Sequence, residues 1–405
     1  MRNKRLDVLR SIAILLVLLY HSDVSTHLVG DGGWAGVDLF FVLSGFLISG
    51  LLFTEYKKRG SISFQRFFIR RGLKLYPAFY FYILVMLLYQ VVFHRTVGTV
   101  AQYLSEMLYV QNYGPFIWRH TWSLAVEEHF YILLPLFLLV LIRYAPNREN
   151  PFRVMPRAFL VVATACLALR IVTVLKIPQA ALLDWTMYRK AYATTHCRID
   201  SLFFGVLLGY FYHFRPESLD GLLGPTRNRI VLAFLSVALL SVCLFLPIQN
   251  RFMLTAGLTL VYLGFGCVLM LCLHVQNVLP RVLAAPLEQI GKGFAYVGMF
   301  SYSIYLWHTA FLGWGPGFVR HVFHTQPNAI TGFAIYLTVS IAFGILMSRL
   351  IEYPVLRVRD QIVPALQGSP NTAAAESQGM NDKLPTPKPN PGALKQLAHF
   401  LGFSK

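Results

Sequence analysis

The chain has 405 residues, of which 56% are hydrophobic, 15% aromatic and only 13% charged. Soluble domains carry roughly a quarter charged residues, so this composition excludes an ordinary soluble globular protein. The net charge of +18 raises nucleic-acid binding, but the placement of the cations along the chain argues against it.

Apolar runs long enough to cross a hydrocarbon core of roughly 30 Å recur throughout. They fall at 6–22, 34–54, 75–93, 121–142, 157–176, 199–214, 230–247, 252–273, 294–312 and 330–350. The expected fold is therefore all-α, a polytopic bundle of about ten transmembrane helices. The first run follows MRNKRLDVLR but has no small-residue cleavage site after it, so it reads as a retained helix. Several runs are short or broken by Gly, Pro or a charge, which in lipid requires cover from neighbouring helices and implies a compact bundle.

With the N-terminus in the cytosol, 27 of the 36 Lys and Arg residues fall on inner segments. This positive-inside bias predicts both termini cytosolic and a multi-pass protein of the cell inner (plasma) membrane, with lipid rather than nucleic acid as its surroundings. Residues 1–360 form the expected transmembrane domain. Residues 361–405, rich in Pro, Ala, Asn and Ser, cannot bury a core and read as a disordered cytosolic tail. Of the five cysteines, Cys166, Cys243, Cys267 and Cys272 sit in apolar runs and Cys197 near a boundary. No C-x-x-C pair occurs, so neither a disulfide framework nor a metal site is expected.

A titratable group inside a span costs roughly 2.5–3.5 kcal/mol on insertion scales and asks for a reason. Helix rise places His21 about 22 Å from the inner face and His308 about 21 Å from it. Counted from the outer face, Asp38 lies about 6 Å down and Glu127 and Glu128 about 9–11 Å down. Four helices thus bring ionisable groups to one depth. A carboxylate beside His21 would orient its imidazole as a general base; Asp38 at that position equally suits capping its own helix. Glu127 shares a stripe with Ser123 and Tyr131, and one of the two glutamates could instead pair with Arg119 or Arg198. Ser301, Tyr305 and His308 share a face of the ninth span. Arg10 falls on the same face of the first helix as His21. Toward the inner side, FQRFFIRRGLKLYP carries Arg66, Arg70, Arg71 and Lys74, with Arg70 and Lys74 on one face. Such cations suit the phosphates of a nucleotide-bearing donor, and equally a cytosolic loop or anionic lipid.

The segments LDVLRSIAILLVLLYH, GWAGVDLFFVLSGFLI, RRGLKLYP, WSLAVEEHFYILLP, RIDSLFFGVLLGY and SYSIYLWH occur in the order seen in the acyltransferase-3 family, which the chain resembles over residues 6–308. The resemblance implies transfer of an acyl group, most often acetyl, from cytosolic acyl-CoA to a hydroxyl of a carbohydrate or other acceptor. It implies His21 as the catalytic histidine, and Glu127, Glu128 and His308 match the family's acidic pair and its second histidine; Asp38, placed at the same depth by helix rise, joins them as the group expected to orient His21. Arg70 and Arg71 match arginines implicated in handling the donor, with Arg10 and Lys74 as further candidates; where the family has another arginine this chain has Lys74, which cannot grip a phosphate in two-pronged fashion. Trp122, Ser123, Tyr131, Arg198, Asp200 and Tyr305, on the same motifs or faces, are candidates for acceptor binding. The segments resemble the standalone branch of the family, without an SGNH hydrolase-like domain.

Base and anchor are separated by about 20 Å of helix rise. Either a pantetheine arm threads inward or an acyl-enzyme relay carries the group. A transporter or flippase of a glycan or lipid-linked sugar is the competing class, because polar groups also line transport paths; no pair of broken-helix repeats points to it.

Overall fold

The computed structural model describes residues 3–22, 32–93, 95–274, 281–312, 317, 319–321 and 328–364. Among the described residues every regular element is a helix. They are α1 (Lys4–Tyr20), α2 (Gly36–Arg59), α3 (Phe64–Val92), α4 (Val100–Met107), α5 (Trp122–Tyr144), α6 (Met155–Leu175), α7 (Trp185–Tyr192), α8 (Thr195–Phe214), α9 (Pro216–Leu223), α10 (Thr226–Phe245), α11 (Leu258–His274), α12 (Arg281–Met299), α13 (Ser301–Trp307), α14 (Ala329–Met347) and α15 (Tyr353–Ile362). Among the described residues seven segments are long and apolar enough to cross a membrane: 33–59, 64–92, 119–144, 155–175, 226–245, 253–274 and 329–362. The chain is thus a multi-pass helical membrane protein.

Three of the ten expected runs fall outside those seven for distinct reasons. α1 has only 17 residues. α8 carries Arg198 and Asp200, both buried. The run at 294–312 is not one helix: α12 ends at Met299 and α13 starts at Ser301, with Phe300 out of helical geometry at φ −100° and ψ 8°. The tail expected from 361 begins inside α15, and from 365 onward it lies outside the described residues.

The centre is built from α2 and α8, whose backbones almost touch. A Cβ on Gly45 would lie 1.9 Å from the carbonyl oxygen of Leu202, and one on Gly205 2.2 Å from that of Val42. With Gly209 four residues after Gly205, α8 presents the small-x-x-x-small spacing that lets membrane helices approach closely. Two ion pairs lock this centre, Arg198–Asp38 at 2.8 Å between α8 and α2, and Arg170–Asp200 at 2.9 Å between α6 and α8. All four side chains are buried, where charges persist only when paired. Arg170 also donates to Thr259 Oγ1 at the start of α11. On the outside, α10 exposes Val231, Phe234, Val237 and Phe245, a surface suited to lipid. The five cysteines are free thiols.

Candidate active site

α1 ends at His21. Its Nδ1 lies 2.9 Å from the carbonyl oxygen of Val17, one turn back. A carbonyl can only accept, so Nδ1 carries the proton and Nε2 keeps its lone pair. The His21 ring meets that of His308 edge to face at 4.9 Å. His308, fully buried, repeats the arrangement: its Nδ1 donates to the carbonyl oxygen of Tyr305, and its Nε2 has no partner. A third imidazole, His120, packs 5.2 Å from His308. Its Nε2 donates to Leu306 O and its Nδ1 accepts from Thr309 Oγ1, each at 3.2 Å. His21 and His308 are therefore left as acceptors, whereas both nitrogens of His120 are engaged.

His120 owes its position to Glu106. That buried carboxylate accepts from the backbone N–H groups of Ile117 (3.0 Å) and Trp118 (3.3 Å) and from Thr121 Oγ1 (2.8 Å), which closes the loop ahead of α5. Neither His120 nor Glu106 was expected. Glu106 lies on the short α4 and His120 in a single tight turn ahead of α5; neither stands in one of the apolar runs, and the pairing of His120 with α13 is a tertiary contact.

Two cavities flank the histidines. One, of about 430 Å³, is lined by His21 and His120 and by the aromatic side chains of Trp34, Trp118, Trp122, Trp185, Tyr188 and Tyr192. The other, about 80 Å³, is a slit lined by Arg10, Arg71 and Lys74 together with Glu127, Glu352, Ser123, Ser301 and Tyr302. Val37 and Tyr305 line both, so the slit and the aromatic cavity abut at this wall. Tyr305 Oη donates to His120 O at 2.7 Å and lies 2.6 Å from Ser123 Oγ. Glu352 comes from a single π-helical turn at Ser348–Glu352, a distortion that often occurs where a helix serves a site.

Several expectations are corrected by this geometry. Asp38 does not orient His21. One of its oxygens is held by Arg198, the other has no hydrogen-bond partner, and the backbone of Val17 fixes the imidazole instead. Arg70 does not share the slit with Lys74, because Asp360 of α15 takes it at 3.0 Å and turns it aside; the slit cations on α3 are Arg71 and Lys74. Arg71 lies over the Tyr131 ring, 4.1 Å from its centre, and donates to its hydroxyl, which in turn donates to Glu127. Glu127 also accepts from Ser44 at 3.0 Å and faces the slit. Glu128 accepts from Tyr76 and is absent from the lining. Neither glutamate belongs to the histidine cluster's hydrogen bonds. Tyr131, Arg198 and Asp200 are buried in packing and ion pairs, so they support the site rather than line it. Trp122, Ser123 and Tyr305 do line the cavities. Among the described residues no three His, Cys, Asp or Glu side chains are placed to hold a metal ion.

An all-helical bundle in which His21 lines an aromatic cavity that abuts a cationic slit is the arrangement of a membrane-embedded enzyme. The particular family follows from comparison: residues 3–349 match the acyltransferase domain model, and the chain belongs to the acyltransferase-3 family. It is 28% identical over 323 residues to the peptidoglycan O-acetyltransferase OatA of Listeria monocytogenes, covering 75% of this chain and 48% of that protein. It is 29% identical over 322 residues to the putative peptidoglycan O-acetyltransferase YrhL of Bacillus subtilis, covering 75% and 47%. The O-acetyltransferase OatA of Staphylococcus aureus is 27% identical over 325 residues, covering 75% and 49%. The matched region is thus about half the length of these relatives. No solved structure matches the chain.

Proposed function

We propose that the protein moves an acyl group, acetyl in the first instance, from acyl-CoA onto a carbohydrate hydroxyl, with His21 as general base. The observation that carries this reading is the lone pair left on Nε2 of His21, a residue that lines the aromatic cavity abutting the cationic slit. Arg10, Arg71 and Lys74 suit the phosphates of a nucleotide-bearing donor at the slit. Arg10 lies eleven residues before His21 on α1, about 16 Å by helix rise, a gap that an extended pantetheine arm would bridge.

The acceptor hydroxyl attacks the thioester carbonyl while its proton passes to His21 Nε2. The C–S bond then breaks, and the thiolate recovers a proton as the ester forms. A positioned imidazole contributes about 10²–10⁴-fold to such a step. His308, edge to face with His21 and with an unprotonated Nε2, is a group able to share the charge that His21 acquires. The relatives' names favour a peptidoglycan sugar as acceptor.

Ten spans with both termini cytosolic, in the inner membrane, fit this reading. The donor would enter from the cytosol at the Arg71 slit, and the acceptor from the opposite side at His21. Purified protein in lipid nanodiscs, given labelled acetyl-CoA and glycan oligomers, should form an O-acetyl ester. His21→Ala should abolish it while the protein remains monodisperse. Transfer that survives in His21→Ala refutes the base assignment.

A further inference from the structure

The C-terminal ends of α2 and α8, with the loop that follows α5, close around a cavity that the transfer chemistry does not use. It holds about 580 Å³, and its lining includes Tyr56, Lys57, Arg148, Glu149, His213 and Phe214. In the orientation proposed above these helix ends face the cytosol. Tyr144, the last residue of α5, and Tyr212, two residues before the end of α8, are 79% and 47% exposed. Exposed tyrosines at helix ends belong at the headgroup level of a bilayer, so the cavity stands at that depth.

Three charged side chains line the cavity without neutralising one another. Lys57 Nζ donates to the carbonyl oxygen of His213 and lies 4.8 Å from the centre of the Phe214 ring. The ammonium is thus held against the wall with further protons to donate. Tyr56 Oη holds the backbone carbonyl of Arg148 at 2.5 Å, which fixes the loop to α2. The Arg148 guanidinium has no ion-pair or hydrogen-bond partner among the described residues, and neither has the Glu149 carboxylate, although both line the cavity with Lys57.

A headgroup whose only charge is a phosphate would suit Lys57 and Arg148 but would meet Glu149 as a like charge. Phosphocholine carries both signs, yet its quaternary nitrogen has no N–H to give. A phosphoethanolamine headgroup brings a phosphate for the two cations and a primary ammonium for Glu149, at helix C-termini where positive charge is favoured. The exposed side chains Leu136, Val140 and Tyr144 follow one another at four-residue spacing along α5, an apolar stripe that leads from the bilayer to the loop carrying Arg148 and Glu149. We infer that this cavity is a binding site for the headgroup of a phosphatidylethanolamine lipid of the inner leaflet, with an acyl chain along that stripe. The inference is independent of the transferase reading.

The test is native mass spectrometry of the intact protein released from detergent holding equal amounts of phosphatidylethanolamine, phosphatidylcholine and phosphatidylglycerol with identical chains. Phosphatidylethanolamine should be retained about threefold or more over either of the others, the scale of one partly exposed ion pair. Equal retention, or retention led by phosphatidylglycerol, overturns the site. Glu149 and Arg148 are exposed on a loop, so their amide variants keep the fold, as size exclusion should show. Glu149→Gln should abolish the preference; a preference that survives it overturns the location. Arg148→Gln should weaken retention of all three lipids alike, since each carries a phosphate, and unchanged retention overturns the phosphate contact. Soluble glycerophosphoethanolamine at equal concentration should not displace the lipid. Displacement would make the cavity a site for a free phosphoester and overturns the lipid assignment.

Discussion

His21 and His308 touch edge to face, with ring centres 4.9 Å apart, and each donates its Nδ1 proton to a backbone carbonyl of its own helix. The two imidazoles are thereby held in the same tautomer without help from a carboxylate. Once His21 takes a proton, His308 Nε2 is the lone pair beside it. His308→Ala should lower kcat for acetyl transfer about 10²-fold, within the range for a group assisting proton transfer, with donor KM little changed. His120→Ala should cost less in kcat, because both of its nitrogens are already engaged. Steady-state kinetics on the two variants decide the order; equal losses would assign His308 a packing role.

Arg70 and Arg71 are adjacent in sequence and opposite in consequence. Arg71 lines the slit over the Tyr131 ring, while Arg70 is spent on Asp360 at 3.0 Å. Arg71→Ala should raise the KM for acetyl-CoA tenfold or more, the scale of one lost charge-assisted contact to phosphate. Arg70→Ala should leave that KM within about twofold and modestly lower thermal stability instead, as expected of a partly exposed ion pair. Donor titrations against both variants measure the difference; a larger KM effect from Arg70→Ala would move the donor site.

The helical class, most of the spans and the residues His21, Arg71, Ser123 and Tyr305 were legible in the sequence, because apolar runs and helical spacing are local properties. Partners across the bundle were not. Asp38 and His21 fall at similar depths by helix rise, yet depth says nothing about rotation about the axis, and α8 brings Arg198 to Asp38 first. Arg70 and Lys74 share a face of an isolated helix, but α15 supplies an acid that spacing on α3 cannot foretell. The break at Phe300 carries no proline to mark it, whereas the π turn before Tyr353 is followed by Pro354, which has no N–H to give to the carbonyl of Leu350. Glu106, on the short α4, and His120, in a single turn ahead of α5, lie outside the apolar spans, and nothing in their local spacing points to a common site.

The buried pairs make a stability prediction. Asp38→Ala leaves Arg198 as an unmatched buried cation between Phe41, Trp122 and Tyr192, and breaking such a pair from one side costs about 3–5 kcal/mol. The variant should elute as aggregate, or unfold at much lower temperature in detergent. The double variant Asp38→Leu with Arg198→Met should recover a large part of that loss, since it removes both charges. Thermal unfolding followed by size exclusion checks this; a double variant as unstable as Asp38→Ala would show that the charges themselves hold α2 to α8.

Glu106, on a helix of eight residues too short to cross the bilayer, sets a pH dependence. Burial pushes its carboxyl up to about 7, against the donors Ile117 N–H, Trp118 N–H and Thr121 Oγ1, which pull it down. In the unfolded chain the same group titrates near the ordinary glutamate value of about 4.3. Between those two values the folded protein holds a proton that the unfolded chain has lost, so stability falls as pH rises through this window and levels off above about 7. The loss is on the order of 4 kcal/mol at most, at about 1.4 kcal/mol per pKa unit. Unfolding temperature in detergent should therefore decline from pH 5 to pH 8, and Glu106→Gln, which keeps an acceptor for the loop and cannot ionise, should flatten the profile. Because this loop carries His120 to His308, the wild-type decline should be matched by loss of activity on the same samples. An identical decline in Glu106→Gln would assign the pH dependence to another group.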